Sequence, residues 1–295
     1  MRGAWRGRPL GAPRHIPSSH AAPVRSRRPI HLTVLTFNIR YGSAPDGPQR
    51  WTLRKRLVID RIRDANPDLI GLQECEDNHQ ARYLRRALGD YGFTGVRAEP
   101  SGPEMAPVLY RRSTFRKLGS GQFWLSESPG SPGSYGWGTA FPRTVTWVKL
   151  ERRGTPTPLY FVNTHFDYAP GVASRSAALL RRWVDETVGG RPVVITGDFN
   201  VGKRSAAYRR LTSPRGDASG HDQAVRLVDA FRAAHPGGEG EGTYHAYGAL
   251  RKPTPLDWIL TSRHFAVVDA DVDCTRPNGR FPSDHFPLVA TIRFG

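Results

Sequence analysis

Six short polar clusters carry the residue types that could do chemistry. Asn38 lies in TFNIRYG, Gln73 and Glu74 in IGLQE, and His165 with Asp167 in FVNTHFD. Asp198 and Asn200 lie in VITGDFN, and Asp284 with His285 in PSDHFP. Each of these five ends or directly follows an apolar run of strand composition. Asp257 differs, being an acid embedded in a strand-like run, LDWIL. A buried carboxylate is costly unless it is paired or bound to a metal, which favours a functional reading for Asp257. Taken singly, an Asp or Asn after a strand is a turn former or a helix cap. Six such clusters together are better explained by a shared site.

Acids, amides and imidazoles in this combination suit phosphoester hydrolysis. Its transition state spreads negative charge over phosphoryl oxygens, with attacking and leaving oxygens roughly in line. A divalent cation can bridge and neutralise that charge. Mg²⁺ prefers hard oxygen ligands, typically one or two carboxylates plus water. Glu74 is the first candidate ligand and Asp284 the second. Asp198 suits orienting or deprotonating the attacking water. Asn38 and Asn200 can hold that water or a phosphoryl oxygen without adding repulsive charge. Asp257 and His285 fit a pairing in which a buried carboxylate fixes the tautomer of an imidazole and raises its pKa.

The elements that must position these groups can be read along the chain. Residues 32–39, LTVLTFNI, have strand composition and contain Asn38. Residues 52–65 predict a helix through Leu53, Leu57, Ile62 and Ala65, with Thr52 as its cap and Asn66–Pro67 as its stop. A short buried strand over 68–74 and a helix over 78–89 follow. Strands are expected near 93–97, 107–111, 121–125, 143–150 and 158–165. Residues 126–138, SESPGSPGSYGWG, form a long loop with two aromatics, Tyr135 and Trp137. Helices are expected over 172–188, 205–212 and 223–234, a buried strand over 192–200, and a loop over 236–242. Strands at 256–260, 265–273 and 286–293 close the chain. This strand-heavy pattern implies two packed sheets with helices outside. His221–Asp222 and Asp46–Gly47 read as exposed turns.

The chain has 295 residues, 38% of them hydrophobic, enough for a large core. Its 43 Lys and Arg against 26 Asp and Glu give a formal charge of +17. Residues 1–30 hold seven Arg and no acid, and lack the apolar core of a secretory signal. They read as a disordered basic arm ahead of a domain at 31–295. Without the arm, 36 basic residues still face 26 acidic ones, a charge of +10. A positive field concentrates anionic substrates such as nucleic acids and other phosphate compounds. No window suits a membrane helix, so a cytoplasmic monomer is expected. Cys75 and Cys274 have no metal-site spacing and read as unpaired thiols.

The ordered set FN, LQE, NTH, GDFN, LDWIL and SDHFP, spanning about residues 32–294, resembles the endonuclease/exonuclease/phosphatase superfamily of DNase I-like enzymes. The resemblance implies a four-layered α/β sandwich with two central, mostly antiparallel β-sheets flanked by helices. It implies a cofactor, Mg²⁺ or Mn²⁺, and a phosphoester substrate. It supports Glu74 as a metal ligand, with Asn38 and Asp284 near the metal. Asp198 and Asn200 then serve the nucleophilic water, and the Asp257–His285 pair the phosphate. His165 looks like the second histidine of DNase I-like and sphingomyelinase-like members. One departure is Arg40, where abasic-site endonucleases carry an acid; it argues against a dedicated DNA-repair role. FWLSESP, GWGTAFPRTVTW and TYHAYG resemble a bacterial branch, in which Arg143 could grip a phosphate bidentately. Glu104 and Tyr110 also sit where relatives place site residues, Tyr110 as a substrate-binding group. The alternative is a catalytically inactive module of the same fold that binds phosphate or nucleic acid.

Overall fold

The computed structural model describes residues 30–139, 141–154, 157–213 and 225–294. The basic arm up to residue 29 and the His221–Asp222 pair lie outside the described residues. The first sheet contains β1 (Ile30–Asn38), β2 (Leu69–Gln73), β4 (Tyr91–Thr94), β6 (Val108–Arg111), β13 (Phe265–Val272) and β14 (Leu288–Phe294). Their order is β13-β14-β1-β2-β6-β4. The second sheet contains β7 (Phe115–Trp124), β8 (Thr144–Arg152), β9 (Pro158–His165), β10 (Val193–Asp198), β11 (Leu227–Asp229) and β12 (Asp257–Ser262). Their order is β11-β12-β10-β9-β8-β7. A separate two-residue pair joins β3 (Cys75–Glu76) to β5 (Glu104–Met105). In each large sheet one central pair is parallel, β1 with β2 and β9 with β10, and every other pair is antiparallel.

The four-layered α/β sandwich follows from central strands such as β2, β10 and β12, which are buried on both faces and read as near-continuous apolar runs. Leu32 and Val34 of β1 meet Phe161, Val194 and Ile259 between the sheets. Leu35 and Phe37 of the same strand face α1 (Trp51–Ala65) and α2 (His79–Ala87). On the far side, Val193 and Ile195 of β10 pack under α3 (Val172–Trp183) and α4 (Ala206–Thr212). The parallel pairs require crossovers, and α1 and α3 supply them.

Several boundaries differ from the sequence expectation. The buried stripe of α1 is Trp51, Arg54, Val58, Ile59 and Ile62, whereas Leu53 is 42% exposed. Trp51, one residue before the expected start, sets the buried face. The helix therefore begins ahead of Thr52, which cannot cap it, and Arg50 takes the N-cap position without a side-chain bond. Asn66 stops the helix in a left-handed conformation at φ 45°, as its type suits. The expected helix at 223–234 is, where described, β11 followed by α5 (Ala230–Ala234) with Asp229 as cap. Leu227 and Val228 pair with β12 there, overriding the local helical pattern. The 172–188 helix closes in a π turn over Val184–Val188. Among the described residues, no helix is long and apolar enough to cross a membrane. Cys75 is buried and Cys274 exposed, both free.

Candidate active site

The topology explains why distant residues meet. Parallel neighbours end at the same rim of a sheet, and antiparallel partners begin there. Asn38 pairs with Gln73 at the ends of β1 and β2. Asp198 pairs with His165 at the ends of β9 and β10, and with Asp257 at the start of β12. Asp257 thus opens its strand instead of lying inside it. Asp284 and His285 precede β14, which runs antiparallel to β1 and so starts at the same rim. Open α/β sheets bind ligands at the carboxyl ends of their strands for this reason. Arg40, Glu74 and Asn200 turn the chain there in left-handed conformations, at φ 54°, 56° and 52°. For non-glycine residues each costs about 1–3 kcal/mol, a cost that clusters at functional sites.

Asp198 lies between two imidazoles. His165 Nε2 is 3.6 Å and His285 Nε2 3.7 Å from its Oδ2. Each imidazole is backed by a carboxylate on the other nitrogen. His285 Nδ1 donates to Asp257 Oδ2 at 2.8 Å, and His165 Nδ1 lies 3.1 Å from Glu104 Oε1. Burial alone would lower the His285 pKa, but the carboxylates of Asp257 and Asp198 outweigh it and raise it to about 10. Burial also pushes the Asp257 carboxyl up. The pair therefore retains a proton, and Asp198 adds the charge that places it on the imidazole. Burial would likewise raise Glu104, yet Arg143 first and then His165 hold it down at about 2.

One hydrogen assignment satisfies the His165 neighbourhood. Nδ1–H donates to Glu104, and Nε2 accepts from Asn200 Nδ2 at 3.1 Å, while the other amide hydrogen of Asn200 goes to Phe166 O at 2.8 Å. Arg143 Nη1, also 2.9 Å from Nδ1, then donates to Glu104 Oε1 at 2.6 Å. The Asn200 backbone N–H fixes Asp198 Oδ1 at 2.9 Å.

The second wall of the cleft holds the carboxylates Glu74 and Asp284. Asn38 Nδ2 links this wall to the first, donating to Glu74 Oε1 at 3.0 Å and Asp198 Oδ2 at 2.9 Å. Arg40 lies 3.9 Å from Glu74 Oε2 and from Asp284 Oδ2, so both carboxylates flank one space. Two hard oxygen donors there fit Mg²⁺ or Mn²⁺. Asp198, Asp257 and His285 also have ligand atoms within 4.8 Å of one another. In that cluster His285 Nδ1 and Asp257 Oδ2 already engage each other at 2.8 Å, so the Glu74 and Asp284 pair suits a metal better.

The structure brings together Asn38, Glu74, His165, Asp198, Asn200, Asp257, Asp284 and His285. One expected group sits elsewhere. Tyr110 packs in the core between the sheets, because Gly92 beside it on β4 leaves room for its ring. Arg143 borders the cleft, but it is buried and engaged with Glu104, with Asp167 at 3.9 Å. Its Nη1 donates to Glu104, but its buried Nε has no hydrogen-bond partner among the described residues, so the guanidinium is held at the cleft wall without being fully satisfied. Asp46 is also no exposed turn residue: it binds Arg40 through both oxygens, and Tyr247 donates to it. Residues missed by sequence reasoning include Tyr244, whose ring lies 4.8 Å from His285 in the cleft. Asn163, the first residue of the NTH motif, bridges the sheets beneath the site. Its place in that motif was the available signal. The cleft encloses about 750 Å³.

Comparison with known proteins accords with this geometry. The Endonuclease/Exonuclease/phosphatase family matches residues 35–285. Rat (Rattus norvegicus) Nocturnin is 22% identical over 275 residues, covering 83% of this chain and 59% of that protein. The chain spans only part of the length of these curated relatives, 59% of rat Nocturnin and 44% of Drosophila melanogaster Nocturnin. A Bacteroides vulgatus endonuclease/exonuclease/phosphatase structure superposes with a TM-score of 0.80 at 30% identity, over 90% of this chain and 100% of the other. A mannosyl-6-phosphatase of Bacteroides thetaiotaomicron superposes with a TM-score of 0.75 at 26% identity, over 88% and 99%.

Proposed function

Because the chain belongs to the endonuclease/exonuclease/phosphatase family, we propose that it hydrolyses a phosphoester using Mg²⁺ or Mn²⁺ held by Glu74 and Asp284. What supports this reading is the convergence of two carboxylate-backed histidines on one buried aspartate, with an open pair of carboxylates across the cleft. The bound cation would neutralise charge on the phosphoryl group. Asp198 Oδ2 is the base for the attacking water, with its other oxygen fixed by the Asn200 N–H. His285, protonated and held by Asp257, donates to a phosphoryl oxygen. His165, oriented by Glu104, lines the opposite side of Asp198. Asn38 spans base and metal ligand, so it sets their separation without adding charge. A cleft of about 750 Å³ is in the range of small-ligand sites. It favours a small phosphoester or a single-strand end over a duplex. The likeness to a mannosyl-6-phosphatase makes sugar phosphates part of the test set.

The test is turnover by the purified chain of p-nitrophenyl phosphate, bis-p-nitrophenyl phosphate, sugar phosphates and oligonucleotides, with Mn²⁺ or with chelator. Metal-dependent release from at least one substrate is expected. Failure across the whole panel with metal present would leave the rival reading, an inactive binding module.

A further inference from the structure

We propose that Arg40 is a resident cation of this cleft, standing beside Glu74 and Asp284 and sharing the neutralisation of their charge, so that the site takes a single divalent ion. The inference rests on the reading that Glu74 and Asp284 hold metal, and it concerns what else neutralises them.

Arg40 follows the last residue of β1 by two positions, at the left-handed φ of 54°. Its guanidinium is clamped from behind. Asp46 accepts from Nε and Nη2 at 3.1 Å each, and Tyr247 OH donates to Asp46 Oδ2 at 3.1 Å. The clamp leaves Nη1 3.9 Å from Glu74 Oε2 and Nε 3.9 Å from Asp284 Oδ2. These separations are too long for hydrogen bonds. Arg40 therefore lowers the repulsion between the two carboxylates without using up the lone pairs that a metal needs.

The charge is also permanent. A guanidinium does not deprotonate in a protein. A metal ion at the same place would exchange with solvent, and a tethered one cannot. One ion beside the guanidinium completes the local charge balance. A second divalent ion would have to approach a fixed positive group within a few ångström, at a Coulomb cost that lowers its affinity by about tenfold or more.

Calorimetric titration of the full chain with Mn²⁺, without substrate, tests this, with the ion count checked by elemental analysis after dialysis. Wild type is expected to bind one ion, and Arg40→Gln two, with the first bound about tenfold or more tightly than in wild type. Arg40→Lys keeps the charge and is expected to bind one. Asp46→Asn loosens the clamp while keeping the charge, and is also expected to bind one. Two ions in wild type would overturn the proposal without any variant needing to fold. So would one ion in folded Arg40→Gln, checked by thermal melting, with wild-type affinity. No ion in wild type would instead sink the metal reading of Glu74 and Asp284, and this inference with it.

Discussion

At the scale of single residues, the site is a line of alternating carboxylates and imidazoles: Asp257, His285, Asp198, His165 and Glu104. The Asp257–His285 half was legible in the sequence, because an acid inside an apolar run is costly unless a partner such as an imidazole meets it. His165 was singled out by its cluster and Glu104 through the family resemblance, but their pairing was not legible, since Glu104 lies in a two-residue strand that no periodicity reveals. Asp257→Asn keeps the shape but removes the charge that holds the His285 proton. Its kcat is expected to fall about 10²–10⁴-fold, with KM within about threefold of wild type. An unchanged kcat in steady-state assays would show that His285 needs no such partner. Glu104 carries a pH prediction. Its folded pKa of about 2 lies below the ordinary 4.5 of the unfolded chain. The ionised form thus stabilises the fold above about pH 4.5, and that contribution is lost as pH falls through about 2. Its side chain is 35% exposed, so solvent screens part of the effect. Melting temperature is expected to drop more steeply over this window in wild type than in Glu104→Gln.

At the scale of elements, the sheets must approach closely under the site to hold both walls in register. A Cβ on Gly71 of β2 would come within 2.1 Å of Thr196 Oγ1 and 2.5 Å of Asn163 Oδ1 on the facing sheet. Asn163 spends its amide on this contact. It accepts from Gln73 Nε2 at 2.7 Å and Thr196 Oγ1 at 3.1 Å, and donates to Leu72 O and Pro107 O at 2.7 and 3.0 Å. Gly71→Ala is expected to cost about 1–3 kcal/mol through overpacking. Asn163→Leu is expected to cost at least as much, because it orphans buried partners. Urea denaturation midpoints check both, and a wild-type midpoint for Gly71→Ala would mean the sheets can part at no cost. The strands themselves were legible as apolar runs. The closeness of the two sheets was not, because a single Gly in LIGLQ has the same sequence signature as a bulge. The phase of α1 was misread for a related reason: Trp51 and the stem of Arg54 bury deeper than Leu53, and tertiary packing decides such choices.

At the scale of the molecule, charge and cleft shape point to different substrates, and the cleft discriminates better. A formal charge of +17 attracts any polyanion and does not choose among them. The cleft carries two exposed rings on its lining, Phe141 at 51% and Tyr168 at 65% exposure, close in sequence to Arg143 and His165. Neither stacks on another aromatic ring among the described residues. Large rings left in water beside a catalytic centre gain by stacking on a flat or apolar face of the substrate. Base–aromatic stacking contributes about 1–3 kcal/mol, enough to control KM without touching the reacting atoms. The double variant Phe141→Ala/Tyr168→Ala is therefore expected to raise KM about tenfold or more for a nucleotide or sugar phosphoester. Its kcat should stay near wild type, and KM for the ring-free glycerol phosphate should not move. Equal losses on both substrates would place these rings in the fold of the loops, and substrate choice would then rest on the charged walls alone.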